Sequence, residues 1–337
     1  MLWRRIMAND LGKCDVVTWG EGFLRLTPKE KERFEQSAGF NVAIAGGALE
    51  TAVGLSRLGY RALWFSAVGD TPLGAKIVNK VREHGVDTTC VELVPDGRTG
   101  LCYTEIGTAP RLTKSWFDMH DTAFRKTSPA SMEWSSNNQT KIFHVDITPP
   151  LIDSVDANWL KSSLINAKTA VCQVSVLLDL PSEEGIDDEI RNWIFDLVDI
   201  VDIFQVTLRT LKTIWDYDSS LLSVPDFVQS GFKGKTTVVM EQLFSGTGSN
   251  WKGTAVSPDG EVFENSSSGI VVIDPYGALG AFAAGFLYGY LSKCTYSGLQ
   301  YGTAAAGLAC SVPGSLNWVT KQDLDLQIEG TGSGLER

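Results

Sequence analysis

Apolar residues in this chain fall into two alternating kinds of segment. Cys14 to Trp19 (CDVVTW) is a short apolar run ended by Gly20, the pattern of a buried strand. Leu49, Ala52, Val53, Leu55 and Leu58 then recur at helical spacing and stop at Gly59, a residue type that accepts the left-handed conformation after a helix. Arg61 to Val68 (RALWFSAV) reads as a second strand, and Leu73 to His84 as a second helix closed by Gly85. Strand, helix, strand and helix in that order predict a parallel sheet with crossover connections. The alternation resumes with strands at Lys141 to Val145, Ala170 to Leu178 and Thr236 to Met240, and helices at Trp159 to Asn166 and Glu189 to Val198.

Two stretches depart from this pattern. Between Val94 and Trp134 the segments become shorter, polar and aromatic, rich in Thr and Ser, which predicts a separate small β element serving as a lid. From Pro275 to Thr320 the only charge is Lys293, but Gly277, Gly280, Gly285, Gly289, Gly298, Gly302 and Pro313 interrupt the run. Small residues at that density predict buried helices of a large core and not a membrane span. No internal repeat or low-complexity tail is visible, and residues 1–13 and 331–337 read as flexible ends.

Composition narrows the function classes. A 337-residue chain that is 43% hydrophobic and 20% charged can bury a substantial core and is not a disordered one. Its 29 basic against 40 acidic side chains leave a formal charge of -11, the wrong field for gathering nucleic acid phosphates. The six cysteines include no CxxC pair and there are three histidines, which leaves little for a zinc site and suggests buried, reduced thiols. No apolar run follows Arg4 and Arg5, so no secretory signal is read, and a cytoplasmic protein is expected. His144, in a predicted buried strand, is expected to be a satisfied core histidine, and His84 and His120 surface residues.

Several segments in order now resemble one family. AGGALETAVGLSRLG (Ala45 to Gly59), AVGDTPLGAKIVNKVREHGVDT (Ala67 to Thr88) and IDPYGALGAFAAGFLYG (Ile273 to Gly289) are similar to the PfkB, or ribokinase-like, carbohydrate kinases. Within that family GTAPRLTKSWFDMHDTAF (Gly107 to Phe124) and FHVDITP (Phe143 to Pro149) look most like 2-keto-3-deoxygluconate kinases and fructokinase-like members. The resemblance implies an α/β fold: a ribokinase-like three-layer α/β/α domain over 14–330 with a mainly parallel sheet. It also implies a small β-sheet lid contributed by about 20–45 and 94–134.

The resemblance also implies where the chemistry sits. Family members abstract a sugar hydroxyl proton with a carboxylate while backbone N–H groups at a helix N-terminus hold the transferred phosphoryl group, both from a Gly-Ala-Gly-Asp motif. Here that anion hole is Gly277, Ala278, Leu279 and Gly280, so the base position holds a glycine and Leu279 is expected to crowd a turn suited to positive φ. The implied substrate positions are Gly46, Gly47, Glu50 (in place of an asparagine) and Arg111, an anion contact in the lid. The implied nucleotide positions are Thr207, Gly246 and Asp274, with Thr207 and Thr210 replacing a metal-linked Asn-x-x-Glu and Glu241 replacing a lysine. Asp274 is either a substitute base or a cap for the helix after Gly277, and Glu50 is read as a solvated acid at a helix start. The aromatic set Trp116, Phe117, Phe124 and Trp134 would stack on a sugar or form the centre of a lid-to-lid dimer.

Positions that turn, cap or pack keep the family pattern while those that bind and catalyse depart from it. The resulting expectation is a sugar-kinase-like protein that has lost efficient ATP-dependent phosphoryl transfer, a pseudokinase acting by binding a ligand or a partner. The alternatives are an active carbohydrate kinase for 2-keto-3-deoxygluconate, fructose or a related sugar, and a cleft repurposed for other chemistry through Glu50, Asp274 or Asp146. No metal ligand is implied, and magnesium and ATP are expected only if kinase activity is retained. The expected partners are a sugar or sugar acid and a second copy through the lid or another protein, with no nucleic acid and no membrane.

Overall fold

The computed structural model describes residues 14–107, 110–126, 140–147, 157–170, 172–180, 186, 188–245 and 248–330. The expectation of flexible ends at 1–13 and 331–337 lies outside these residues. The first half runs β1 (Val16–Trp19), β2 (Phe23–Pro28), β3 (Phe40–Ala45), α1 (Gly47–Arg57), β4 (Ala62–Gly69), α2 (Pro72–Glu83), β5 (Val91–Val94), β6 (Leu101–Glu105), β7 (Lys114–Asp118) and α3 (Ala123–Lys126). It continues through β8 (Ile142–Ile147), α4 (Ala157–Thr169), β9 (Gln173–Leu178), α5 (Asp188–Ile200), β10 (Ile203–Thr207), α6 (Leu208–Trp215) and α7 (Val224–Gly231). The last elements are β11 (Thr236–Ser245), β12 (Gly248–Val256), β13 (Val262–Val271), α8 (Ala278–Ser292), α9 (Thr295–Cys310) and α10 (Lys321–Ile328).

Nine strands form one sheet in the order β13-β12-β11-β10-β9-β8-β1-β4-β5, parallel from β11 to β5 and closed at one edge by the antiparallel β12 and β13. Strand alternation sorts the core into two layers. Val17, Trp19, Leu63, Phe65, Phe143 and Val145 point to the face covered by α4 to α7. Val16, Ala62, Trp64 and Ile142 point to the face covered by α1, α2, α8 and α9. Both faces of a parallel sheet are thereby buried, the three-layer arrangement expected from the sequence. The glycine-rich run forms α8 and α9, which approach so closely that a Cβ on Gly285 would lie 2.4 Å from the Tyr301 carbonyl oxygen. Among the described residues no helix is long and apolar enough to cross a membrane.

A second, mixed sheet of four strands, β3-β2-β6-β7, forms the lid. Its register gives it two unlike faces. Phe23, Arg25, Ala43, Ala45, Cys102 and Phe117 share one; Leu24, Leu26, Val42, Ile44, Tyr103 and Trp116 share the other. Cys102 Sγ meets the Tyr276 hydroxyl at 3.6 Å, so the first face turns inward over the main domain; the second buries Leu24 and Ile44 in the main-domain core at its base and is open on its outer part, at Val42 and Trp116. The aromatic set expected of Trp116, Phe117 and Phe124 does not form. The structure separates them, because period two puts adjacent residues on opposite faces and Phe124 packs on Trp19, with centroids 5.1 Å apart, in the core of the main domain. Trp134 lies outside the described residues.

Candidate active site

The chain leaves β1, builds half the lid, and returns through α1 to β4, on one side of β1; the later strands add on the other side, from β8 outward. Such a reversal opens a crevice beyond the carboxyl ends of the strands. Three acids gather at that end. Glu50 lies in the first turn of α1, Asp146 near the end of β8, and Asp179 just beyond β9. The expectation that Glu50 is a solvated acid is overturned: it is 4% exposed, and its Oε1 accepts the Gly46 N–H at 3.1 Å. Burial pushes its carboxyl up to about 7 against the pull of that N–H and of Arg25. Asp146 covers Gly47, whose Cβ would fall 1.4 Å from Asp146 Oδ2, so only a glycine fits there. Burial, then the charges of Glu50 and Asp179, raise Asp146 well above the ordinary range, and its Oδ1 has no hydrogen-bond partner among the described residues.

Against the first of these acids, Glu50, stands the N-terminus of α8. Gly277 caps it with φ of 85° and no side-chain hydrogen bond. Among the described residues the N–H groups of Ala278, Leu279 and Gly280 find no acceptor, the first such donor being Ala281 to the Gly277 carbonyl. Three free donors at the positive end of a helix have the chemistry to receive an anion. Leu279 does not crowd it as expected. The left-handed turn is taken by Gly277, Leu279 is already helical, and its side chain packs against the core. Nor does Asp274 cap the helix or stand free as a base. Arg25 of the lid grips both its carboxylate oxygens, and the N–H groups of Tyr276 and Gly314 donate to it at 3.1 and 3.0 Å. The Arg25 guanidinium also lies 4.6 Å from the Tyr276 ring centroid, joining lid and main domain through a pair that is almost wholly buried.

Residues 14–321 match the profile of the pfkB family carbohydrate kinases. The chain belongs to this family. Among its relatives, the 2-dehydro-3-deoxygalactonokinase of Haloferax volcanii is 27% identical over 325 residues, 96% of this chain and 99% of that one. The 2-dehydro-3-deoxygluconokinase of Bacillus subtilis is 24% identical, over 90% of this chain and 92% of the other. In fold the chain is similar to the crystal structure of 2-dehydro-3-deoxygluconokinase from Thermotoga maritima, with a TM-score of 0.84, 22% identity, and coverage of 94% and 98%. A PfkB family carbohydrate kinase from Listeria grayi superposes with a TM-score of 0.82 at 23% identity, covering 93% and 99%.

The remaining expected PfkB positions fall out as follows. Thr207 ends β10 and caps α6, and its hydroxyl donates to Asp179 Oδ1 at 2.9 Å, an oxygen that also receives Arg209 at 2.9 Å. A carboxylate therefore does reach this point, from the neighbouring strand and not from Thr207 or Thr210. Gly246 lies outside the described residues. Arg111 is engaged in the lid framework by Glu105 at 3.2 Å and the Lys31 carbonyl at 2.6 Å, which occupies the guanidinium expected to meet an anion. His144 is buried, with Nδ1 bonded to Ser175 at 3.0 Å and its proton affinity lowered by burial to about 3. His84, expected at the surface, is buried because Trp318 from the far end of the chain covers it at 4.7 Å. Sequence reasoning missed Arg25 and Tyr276. The one available signal was an arginine in the middle of FLRLTP, on the face of β2 shared with Phe23.

Proposed function

We propose that this chain transfers the γ-phosphoryl group of Mg–ATP to the primary hydroxyl of a 2-keto-3-deoxy sugar acid. The observation that carries this reading is end-to-end similarity to the Haloferax volcanii kinase, 96% of one chain on 99% of the other. The site supports it. The free N–H groups opening α8 would meet the phosphoryl oxygens as their charge develops, and the Glu50 carboxyl stands beside them. This reading is preferred to a scaffold without phosphoryl transfer, because the anion hole is open and the crevice keeps its acids. An acid group on the substrate is compatible with Glu50, since a six-carbon chain holds its carboxylate at the end opposite its primary hydroxyl.

The test is coupled ADP release with 2-keto-3-deoxygalactonate, 2-keto-3-deoxygluconate and fructose. Turnover on the order of 1 s⁻¹ or faster is expected with a sugar acid. No ADP above background with any sugar at millimolar concentration would sink the reading and restore ligand or partner binding in its place.

The outer lid face is proposed as the contact of a homodimer. Phe40, Val42 and Trp116 are 40%, 47% and 49% exposed on it, an apolar face that a four-stranded sheet does not cover by itself. Light scattering at micromolar concentration should give near twice the 36.7 kDa of one chain. Val42→Asp with Trp116→Asp should shift it to monomer, whereas Phe117→Asp, on the inner face, should not. A wild-type monomer at 50 μM would remove the proposal.

A further inference from the structure

We infer that Glu50 is the general base of this transfer, a carboxylate that the first turn of α1 delivers into the space a side chain at position 280 would otherwise fill. A Cβ built on Gly280 would lie 2.6 Å from Glu50 Cβ and 2.8 Å from Glu50 Oε2. Residue 280 is therefore held to glycine by Glu50, and the two positions represent one choice of where to root a carboxylate. The hydroxyl of Thr51 reaches the Gly280 carbonyl at 3.4 Å, which ties the opening turns of α1 and α8 together.

The Gly46 N–H holds Oε1 and so fixes the side chain, while among the described residues no hydrogen bond engages Oε2. That oxygen stands beside the α8 N–H groups with no acceptor, where a bound phosphoryl group and an attacking hydroxyl would meet. The other acids are less well placed. Asp274 is saturated by Arg25 and two backbone N–H groups, and Asp146 lies against Gly47. In the step itself the substrate O–H proton passes to Glu50 Oε2 as its oxygen bonds to the γ-phosphorus. The bond from that phosphorus to the β–γ bridging oxygen breaks, ADP leaves with the electron pair, and Glu50 then releases the proton to solvent.

The inference rests on the kinase reading, and its test separates the two. Glu50→Gln, nearly isosteric and still able to accept from Gly46, should lower kcat on the best sugar acid by roughly 10²–10⁴-fold, with KM for that sugar within about threefold. Gly280→Asp alone should also be impaired, because its side chain has no room. The double variant Glu50→Ala with Gly280→Asp should exceed Glu50→Ala alone at least about tenfold, since it moves the carboxylate to the other root. Active wild type with Glu50→Gln keeping more than a third of its kcat, or a double variant no better than Glu50→Ala, overturns the assignment of the base and leaves the kinase reading standing. Wild type silent on every sugar overturns the kinase reading and this inference together.

Discussion

Arg25→Ala is expected to lower the unfolding free energy by about 3–5 kcal/mol, the loss typical when one partner of a buried ion pair is removed. The side chains of Arg25 and Asp274 are 2% and 3% exposed, so truncating the first leaves the second as a buried charge without its counter-ion. Two backbone N–H groups would remain on Asp274, which places the effect toward the lower end of that range. For a chain of this size each kcal/mol moves the midpoint by about 1.5 °C, so a fall of roughly 4–7 °C should be visible by calorimetry. Arg25 with Asp274 replaced together should recover part of the loss, because the orphaned carboxylate is then gone. Since β2 belongs to the lid and Asp274 precedes α8, weakening should extend to the crevice, and Arg25→Ala should also raise KM for the sugar. A single variant within 1 kcal/mol of wild type would show that the pair does not hold these layers together.

Glu50→Gln should make the protein more stable at pH 8 while leaving stability at pH 4 unchanged. Burial moves the Glu50 carboxyl from the ordinary 4.5 to about 7, so between those values the folded chain binds more protons than the unfolded one. Stability contributed by the neutral acid is therefore fully present below 4.5 and is lost as pH rises through 7. The full difference is at most about 3.5 kcal/mol for one group, at about 1.4 kcal/mol per pH unit. Besides burial, the groups that shift Glu50 are the Gly46 N–H, Arg25 of β2 and Asp274 ahead of α8, and the Glu50 charge in turn raises Asp146 of β8 and Tyr276. Arg25 reduces the penalty. Asp146 loses a like-charged neighbour in the variant, which adds to the gain with the same sign. Urea midpoints at several pH values should show wild type falling relative to the variant from pH 4.5 to 7 and running parallel above it. Curves parallel throughout would mean that Glu50 ionises as if in water. A group that destabilises the fold in its working state while being required for turnover is the expected compromise at an active site.

Periodicity along the chain was enough for most of the scaffold. The continuous apolar runs VVTW and ALWFSAVG mark strands buried on both faces, the helical spacing from Leu49 to Leu58 identifies α1, and small residues predict the buried helices α8 and α9. These signals are local, because the side chains that share a face are two to four residues apart. The hairpin of β12 and β13 escaped because GSNWKGTAV and VFENSSSGIV carry few large apolar residues; β13 is the sheet's edge, and β12 beside it is buried largely through Ser249, Gly253, Thr254 and Ala255.

The candidate site was legible only as a set of positions. Gly277, Gly46 and Gly47 could be placed by resemblance, but the meaning of a glycine at 280 and a glutamate at 50 could not, since each read alone is a lost function. Their relation is steric, and it exists only where two helix N-termini far apart in sequence are brought into contact. The same holds for Asp274, whose role depends on an arginine 249 positions away. What the sequence by itself determined was which segments are strands and helices and which residues face inward. Which charges are buried, which partners hold them and which oxygen remains free were decided by tertiary packing, because the solvation of a charge depends on every element that closes over it.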